Sequence, residues 1–205
     1  MKVWRLDELG SIAWIADPAE RLQRASVALA VGGGCLVFDP VDAEGLDDAL
    51  AGIGRVLGVG QLLDRHQRDG AALAARHGAP RLTPSELGRS KAYPELETRV
   101  VYDAWRWHET ALWLRERRLL IVPESIGTIG YFLAHAGDRL GLHPVARLKP
   151  PRAALAGLEP DTIAVGHGPP VIGGAAPDLR QALIHARGDL PRSLLATFRA
   201  LRPRR

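Results

Sequence analysis

LLDRHQRDGAALAARHGAP, Leu62–Pro80, is the stretch whose reading decides the fold. Gln61–Asp64 reads as a short strand, and about Asp69–His77 as an Ala-rich helix closed by Gly78. Between them lies DRHQRDG, a polar loop at the point where strand hands over to helix. Loops so placed often carry metal-binding and catalytic side chains. This one has one His and two Asp, with Arg and Gln where further ligands could stand.

Upstream, Ser11–Ala16 and Ser26–Val31 are short apolar runs of strand character, and CLVFDP continues as a strand to Asp39-Pro40. Gly32–Gly34 joins two strands instead of opening a helix, so a dinucleotide-binding reading fails on context. Gly45–Leu57 has the apolar spacing of a helix. Downstream, RLTP suggests a strand and residues 85–97 a loop. Thr98–Ala104, Thr110–Arg115 and Leu119–Val122 read as strands, Gly127–Arg139 and Arg152–Leu158 as helices, and Thr162–Val165 as a strand. Asp178–Ala186 and Pro191–Leu201 read as helices. This order gives an α/β chain with helices outside mixed sheets, expected to form one domain over residues 1–205.

A single cysteine, Cys35, excludes an internal disulfide and any multi-cysteine zinc site. The start of the chain lacks the apolar core of a signal peptide, and no apolar run reaches the ~18 residues needed to cross a bilayer. The expectation is a cytoplasmic protein without membrane partners. The net charge is +4, and five Arg but no acid lie between Leu190 and Arg205. Such an end can attract nucleic acid, but no nucleic-acid motif accompanies it, and a solvated helix face with a frayed end is the preferred reading.

Three segments in order resemble the metallo-β-lactamase superfamily: LVFDP leading through a helix into DRHQRDG, then HETALWLRERRLLIVPESIG (His108–Gly127), then AVGHGPPVIGG (Ala164–Gly174). In that family an HxHxDH loop occupies the first position, a strand pair ending in a Gly-Asp step the second, and a His-Gly step the third. The resemblance implies a four-layer αββα sandwich of two mixed sheets flanked by helices, with a site built from loops at one edge.

The resemblance also assigns residues. With Asp69 as the loop aspartate, the three loop histidines fall on Arg65, Gln67 and Gly70, and His66 takes the variable position. The histidine before the strand pair falls on Trp105, with His108 three residues later. Glu124 matches the bridging aspartate and His167 the His of the His-Gly step. One half of the family's metal pair is therefore lost, since neither Arg nor Trp offers a lone pair to a metal. The expectation is a corner without metal, in which Arg65 pairs with Asp69 or Glu124. The alternative is one zinc or other divalent transition metal on Asp69, Glu124 and His167.

Each residue also has a plain structural role open to it: Asp69 as a helix cap, His66 and His167 as hydrogen-bonded loop residues, and Trp105, Trp107 and Trp113 as packing on one strand face. Three functions follow. The first is a non-catalytic member of the fold that binds a small molecule or forms a homodimer. The second is a one-metal hydrolase of esters, thioesters, lactones or phosphodiesters. The third, with the least support, is a nucleic-acid-associated protein.

Overall fold

The computed structural model describes residues 1–194. Arg199, Arg202, Arg204, Arg205 and most of the expected helix Pro191–Leu201 lie outside them. One sheet has six strands in chain order: β1 (Lys2–Arg5), β2 (Ile12–Ile15), β3 (Ala25–Val31), β4 (Gly34–Phe38), β5 (Arg55–Gly60) and β6 (Arg81–Leu82). The first four are antiparallel neighbours, and β5 and β6 add in parallel. Their crossovers are α1 (Leu46–Ala51) and α2 (Gly70–His77), and α3 (Pro84–Arg89) follows β6. The other large sheet contains β7 (Glu97–Ala104), β8 (Trp107–Leu114), β9 (Leu119–Val122) and β12 (Thr162–Val165), in the order β12-β9-β8-β7. Between β9 and β12 come the small pair β10 (Ile126–Gly127) and β11 (Gly141–Leu142), then α4 (Arg152–Leu155). After β12 comes α5 (Ala176–His185).

Period-two alternation sorts the apolar residues into three layers of core. Val27, Leu29, Leu36 and Phe38 meet Leu112, Leu114, Leu119 and Ile121 between the sheets. The alternate residues Ala28, Cys35 and Val37 pack outward on Leu46 and Leu50 of α1 and Leu73 of α2. On the far side, Ala111, Trp113, Leu120, Val122, Ile163 and Val165 pack on Leu155 of α4 and on Leu179 and Leu183 of α5. This is the four-layer αββα sandwich.

Local details differ from the sequence expectation. The helix expected over Gly45–Leu57 stops at Ala51; Gly54 has φ 141°, and Arg55–Leu57 already belongs to β5. Gln61–Asp64 is therefore the loop after a strand. Within 85–97, α3 forms on a capping box: Thr83 Oγ1 accepts from Glu86 N–H, Glu86 accepts from Thr83 N–H, and Pro84 opens the helix. Gly127–Arg139 is not helical. It leaves β10 as a string of turns, and the Phe132 ring lies where a Cβ on Gly127 would be, 2.7 Å away. β1 was not expected; it pairs along β2 as the sheet's edge. No helix among the described residues is long and apolar enough to cross a membrane.

Candidate functional site

The carboxyl ends of β4, β5, β9 and β12 meet at one corner of the sandwich. β9 and β12 pair in parallel, Leu119 with Thr162 and Val122 with Val165. The same offset of 43 residues, continued past the strand ends, sets Glu124 beside His167. The approach is close: a Cβ on Gly166 would stand 1.9 Å from Pro123 O and 3.2 Å from His66 Cε1, so glycine is required there. From the other sheet, Asp39 ends β4 with φ 46° and turns its carboxylate across the end of β5. Oδ1 accepts from Leu62 N–H at 2.9 Å, and Oδ2 lies 3.2 Å from His66 Nδ1.

Three groups converge here. His66 Nε2 is 3.2 Å, and His167 Nε2 3.0 Å, from Glu124 Oε2. One ligand atom from each of His66, Glu124 and His167 lies within 4.8 Å of the others. Both imidazoles are fixed from behind: His66 Nδ1–H donates to Asp39, and His167 Nδ1–H donates to Leu22 O at 2.9 Å. In the neutral tautomer so defined, the His167 Nε2 lone pair meets the carboxylate oxygen, and His66 Nε2 lies between that oxygen and Arg68 Nη2, 3.3 Å away. An unprotonated nitrogen against a carboxylate needs a proton or a cation between them. Burial alone would raise the Glu124 pKa, but hydrogen bonds from His167 and His66 outweigh it and hold the carboxyl far below its usual range. Burial works to lower the His66 pKa, yet its hydrogen bonds to Asp39 and Glu124 prevail and raise it.

Around this core, buried Glu109 braces the Glu124 turn. Its Oε1 accepts from the N–H groups of Glu124 (3.1 Å) and Ser125 (2.8 Å), and Oε2 from Trp107 Nε1–H (2.7 Å). His143 flanks Glu124, with Nε2 3.7 Å from Oε1 and 3.0 Å from the Tyr131 hydroxyl. Its Nδ1 accepts from Val145 N–H, and burial depresses its pKa to about 4, so the ring is neutral with its proton on Nε2. Ser125 Oγ is buried beside the Glu109 carboxylate.

The loop places its residues one register away from expectation. His66 is buried, whereas Arg65 and Gln67 are exposed. Asp69 lies at the start of α2 and does not join the converging ligands; its Oδ2 accepts from Asp42 N–H at 2.8 Å, and it makes no side-chain cap. Asp69 thus stands apart from Glu124 and His167, and the residues that converge are His66, Glu124 and His167. Arg65 does not pair with Asp69 or Glu124 either. Its Nη1 donates to Arg106 O at 2.8 Å, and its guanidinium lies 5.0 Å over the Trp107 ring. The cation turned inward is Arg68. In an extended segment alternate side chains share a face, so a slip of one exchanges the inward set for the outward. Begun at Asp64, the HxHxDH pattern reads Asp64, His66, Arg68, Asp69. Trp105 is 86% exposed in the turn between β7 and β8, so it does not share the packed face of Trp107 and Trp113. His108 is also exposed on that hairpin, 2.7 Å from Asp103 Oδ1. Asp39, Arg68, Glu109 and His143 were not singled out from sequence. Of these, only Asp39, ending its strand at Asp-Pro, carried a local signal.

No family model matches the chain, and no curated protein matches it in sequence. Solved structures do match, among them metallo-β-lactamases. One from Erythrobacter litoralis, with β-mercaptoethanol in its active site, aligns with TM-score 0.58 and 13% identity over 91% of this chain and 96% of that one. A second from that organism, in a mono-zinc form, gives 0.56 and 14% over 93% and 96%. One from Pontibacter korlensis gives 0.54 and 12% over 93% and 98%. The chain has the metallo-β-lactamase fold.

Proposed function

We propose that this protein is a one-metal hydrolase on the metallo-β-lactamase fold, acting on an ester, thioester, lactone or phosphodiester. The observation that carries the reading is the pair of histidines tied from behind, each with Nε2 within 3.2 Å of Glu124 Oε2. Metal–ligand bonds of about 2.1 Å in a tetrahedron put ligand atoms about 3.4 Å apart. The separations of 3.0 and 3.2 Å are within a few tenths of that. Two His and one Glu with an open position form a donor set used by catalytic zinc. A divalent ion bound there would supply a water of lowered pKa as the nucleophile. Asp39 and Leu22 O hold the two imidazoles oriented through Nδ1, leaving Nε2 of each for the ion, and Glu109 fixes the turn that presents Glu124. Tyr131 and His143 offer hydrogen-bond donors on its flank. A second ion lacks its loop carboxylate, since Asp69 is turned to Asp42. The mono-zinc form of the Erythrobacter litoralis protein is a case of this fold with one ion. The partner class is a small molecule, and the single buried cysteine suits the reducing cytoplasm.

Elemental analysis and zinc titration test this reading. One ion per chain is expected, lost in His66→Ala and His167→Ala, with ester hydrolysis abolished by a chelator and restored by zinc. A chain that takes up no divalent metal refutes it. A second reading, a metal-free corner in a ligand-binding protein or homodimer, is favoured by one observation: an N–H of Arg68 is directed at His66 Nε2.

A further inference from the structure

Arg68 stands at the joint between the two sheets. Its Nη1 donates to Ala25 O (2.5 Å) at the start of β3 and to Asp39 O (2.9 Å) at the end of β4. Its Nη2 donates to Gly166 O, just past β12, at 3.2 Å. The same Nη2 lies 3.3 Å from His66 Nε2. With Nδ1–H committed to Asp39, that nitrogen has a single lone pair. The guanidinium and a metal ion need the same lone pair, and they cannot share it. Arg68 is also permanently charged. It is held in place by three carbonyls, so its positive charge opposes an incoming dication even after its hydrogen bond to His66 is broken.

We propose that Arg68 is a built-in competitor of the metal ion: it occupies His66 Nε2 when no ion is bound, must give it up when one enters, and thereby weakens the corner's hold on that ion. The proposal rests on the one-metal reading above. Because Arg68 also ties the sheets together, the test must separate charge from scaffolding.

Zinc affinity is measured by competition with a chromophoric chelator, and the ligand field by the visible spectrum of the Co²⁺ form, on the whole chain. Arg68→Met and Arg68→Gln remove the charge, the latter retaining a donor for the carbonyls. Arg68→Lys keeps the charge. Both neutral variants are expected to bind zinc about tenfold tighter or more, and the Lys variant to stay near wild type. Zinc binding by the neutral variants alone, with none by wild type, supports the competition and overturns the one-metal hydrolase reading of the native chain. Wild-type affinity in both neutral variants overturns the proposal and leaves the one-metal reading standing. No zinc binding by any of the chains overturns the one-metal reading and the proposal with it. The wild-type protein gives a test free of folding effects: the ¹⁵N–¹H resonance of Arg68 Nε must move as zinc saturates the chain, and a resonance that stays in place overturns the proposal.

Discussion

Replacing Asp39 by Asn isolates what orients His66. Asp39 has φ 46°, a left-handed conformation that Asn adopts as readily as Asp, so the backbone is undisturbed. The carboxylate meets two donors, Leu62 N–H at 2.9 Å and His66 Nδ1 at 3.2 Å. An amide has one oxygen and cannot satisfy both. If the oxygen stays with Leu62, the amide N–H₂ faces His66 Nδ1, and the imidazole must move its proton to Nε2. A protonated Nε2 cannot bind a metal. Loss of such a supporting hydrogen bond typically lowers metal affinity about 10–100-fold, or about 1.4–2.7 kcal/mol. Zinc titration of Asp39→Asn against wild type, with a thermal melt to confirm folding, is the assay. Unchanged zinc affinity in a folded Asp39→Asn chain would show that Asp39 does not set the tautomer of His66, and the reasoning about the corner would fail.

Other substitutions separate the site from its surroundings. Asp69→Ala removes only the bond from Asp42 N–H, about 1 kcal/mol, and should lower Tm by about 2–4 °C while zinc binding is unchanged; lost zinc binding would return Asp69 to the site. Gly166→Ala puts a methyl 1.9 Å from Pro123 O and should cost about 3 kcal/mol or more, seen as a Tm fall of roughly 10 °C; a wild-type melt would refute the close approach. Burial raises the Cys35 thiol pKa to about 11, so at pH 8 a disulfide reagent should label it only as fast as the chain unfolds. Prompt labelling of the native protein would contradict its place beneath the helices.

Much of the architecture is written in local pattern. LVF before Asp39, ALWL in β8 and LLIV in β9 alternate between two buried faces, and that alternation alone assigns each residue to the inter-sheet core or to a helix-covered face. Gly78 closing α2 is equally local. Where apolar residues fit two periods, as in IGRVLGVG, the sequence is ambiguous, and β5 forms because β4 offers a parallel partner.

The corner divides in the same way. From sequence alone, Glu124 and His167 stand at the ends of recognisable strands, and DRHQRDG is a polar loop between strand and helix. The loop's facing does not follow from sequence, because a count anchored on Asp69 and one anchored on Asp64 differ by one residue and expose opposite sides. Only the tertiary structure decides between them. His66 is turned inward by a carboxylate 27 residues upstream, and Arg68 is held by carbonyls from three strand ends, one of them 98 residues away in the chain. Side-chain identity is a property of the chain, but which lone pairs and charges meet is fixed by where distant strand ends come together.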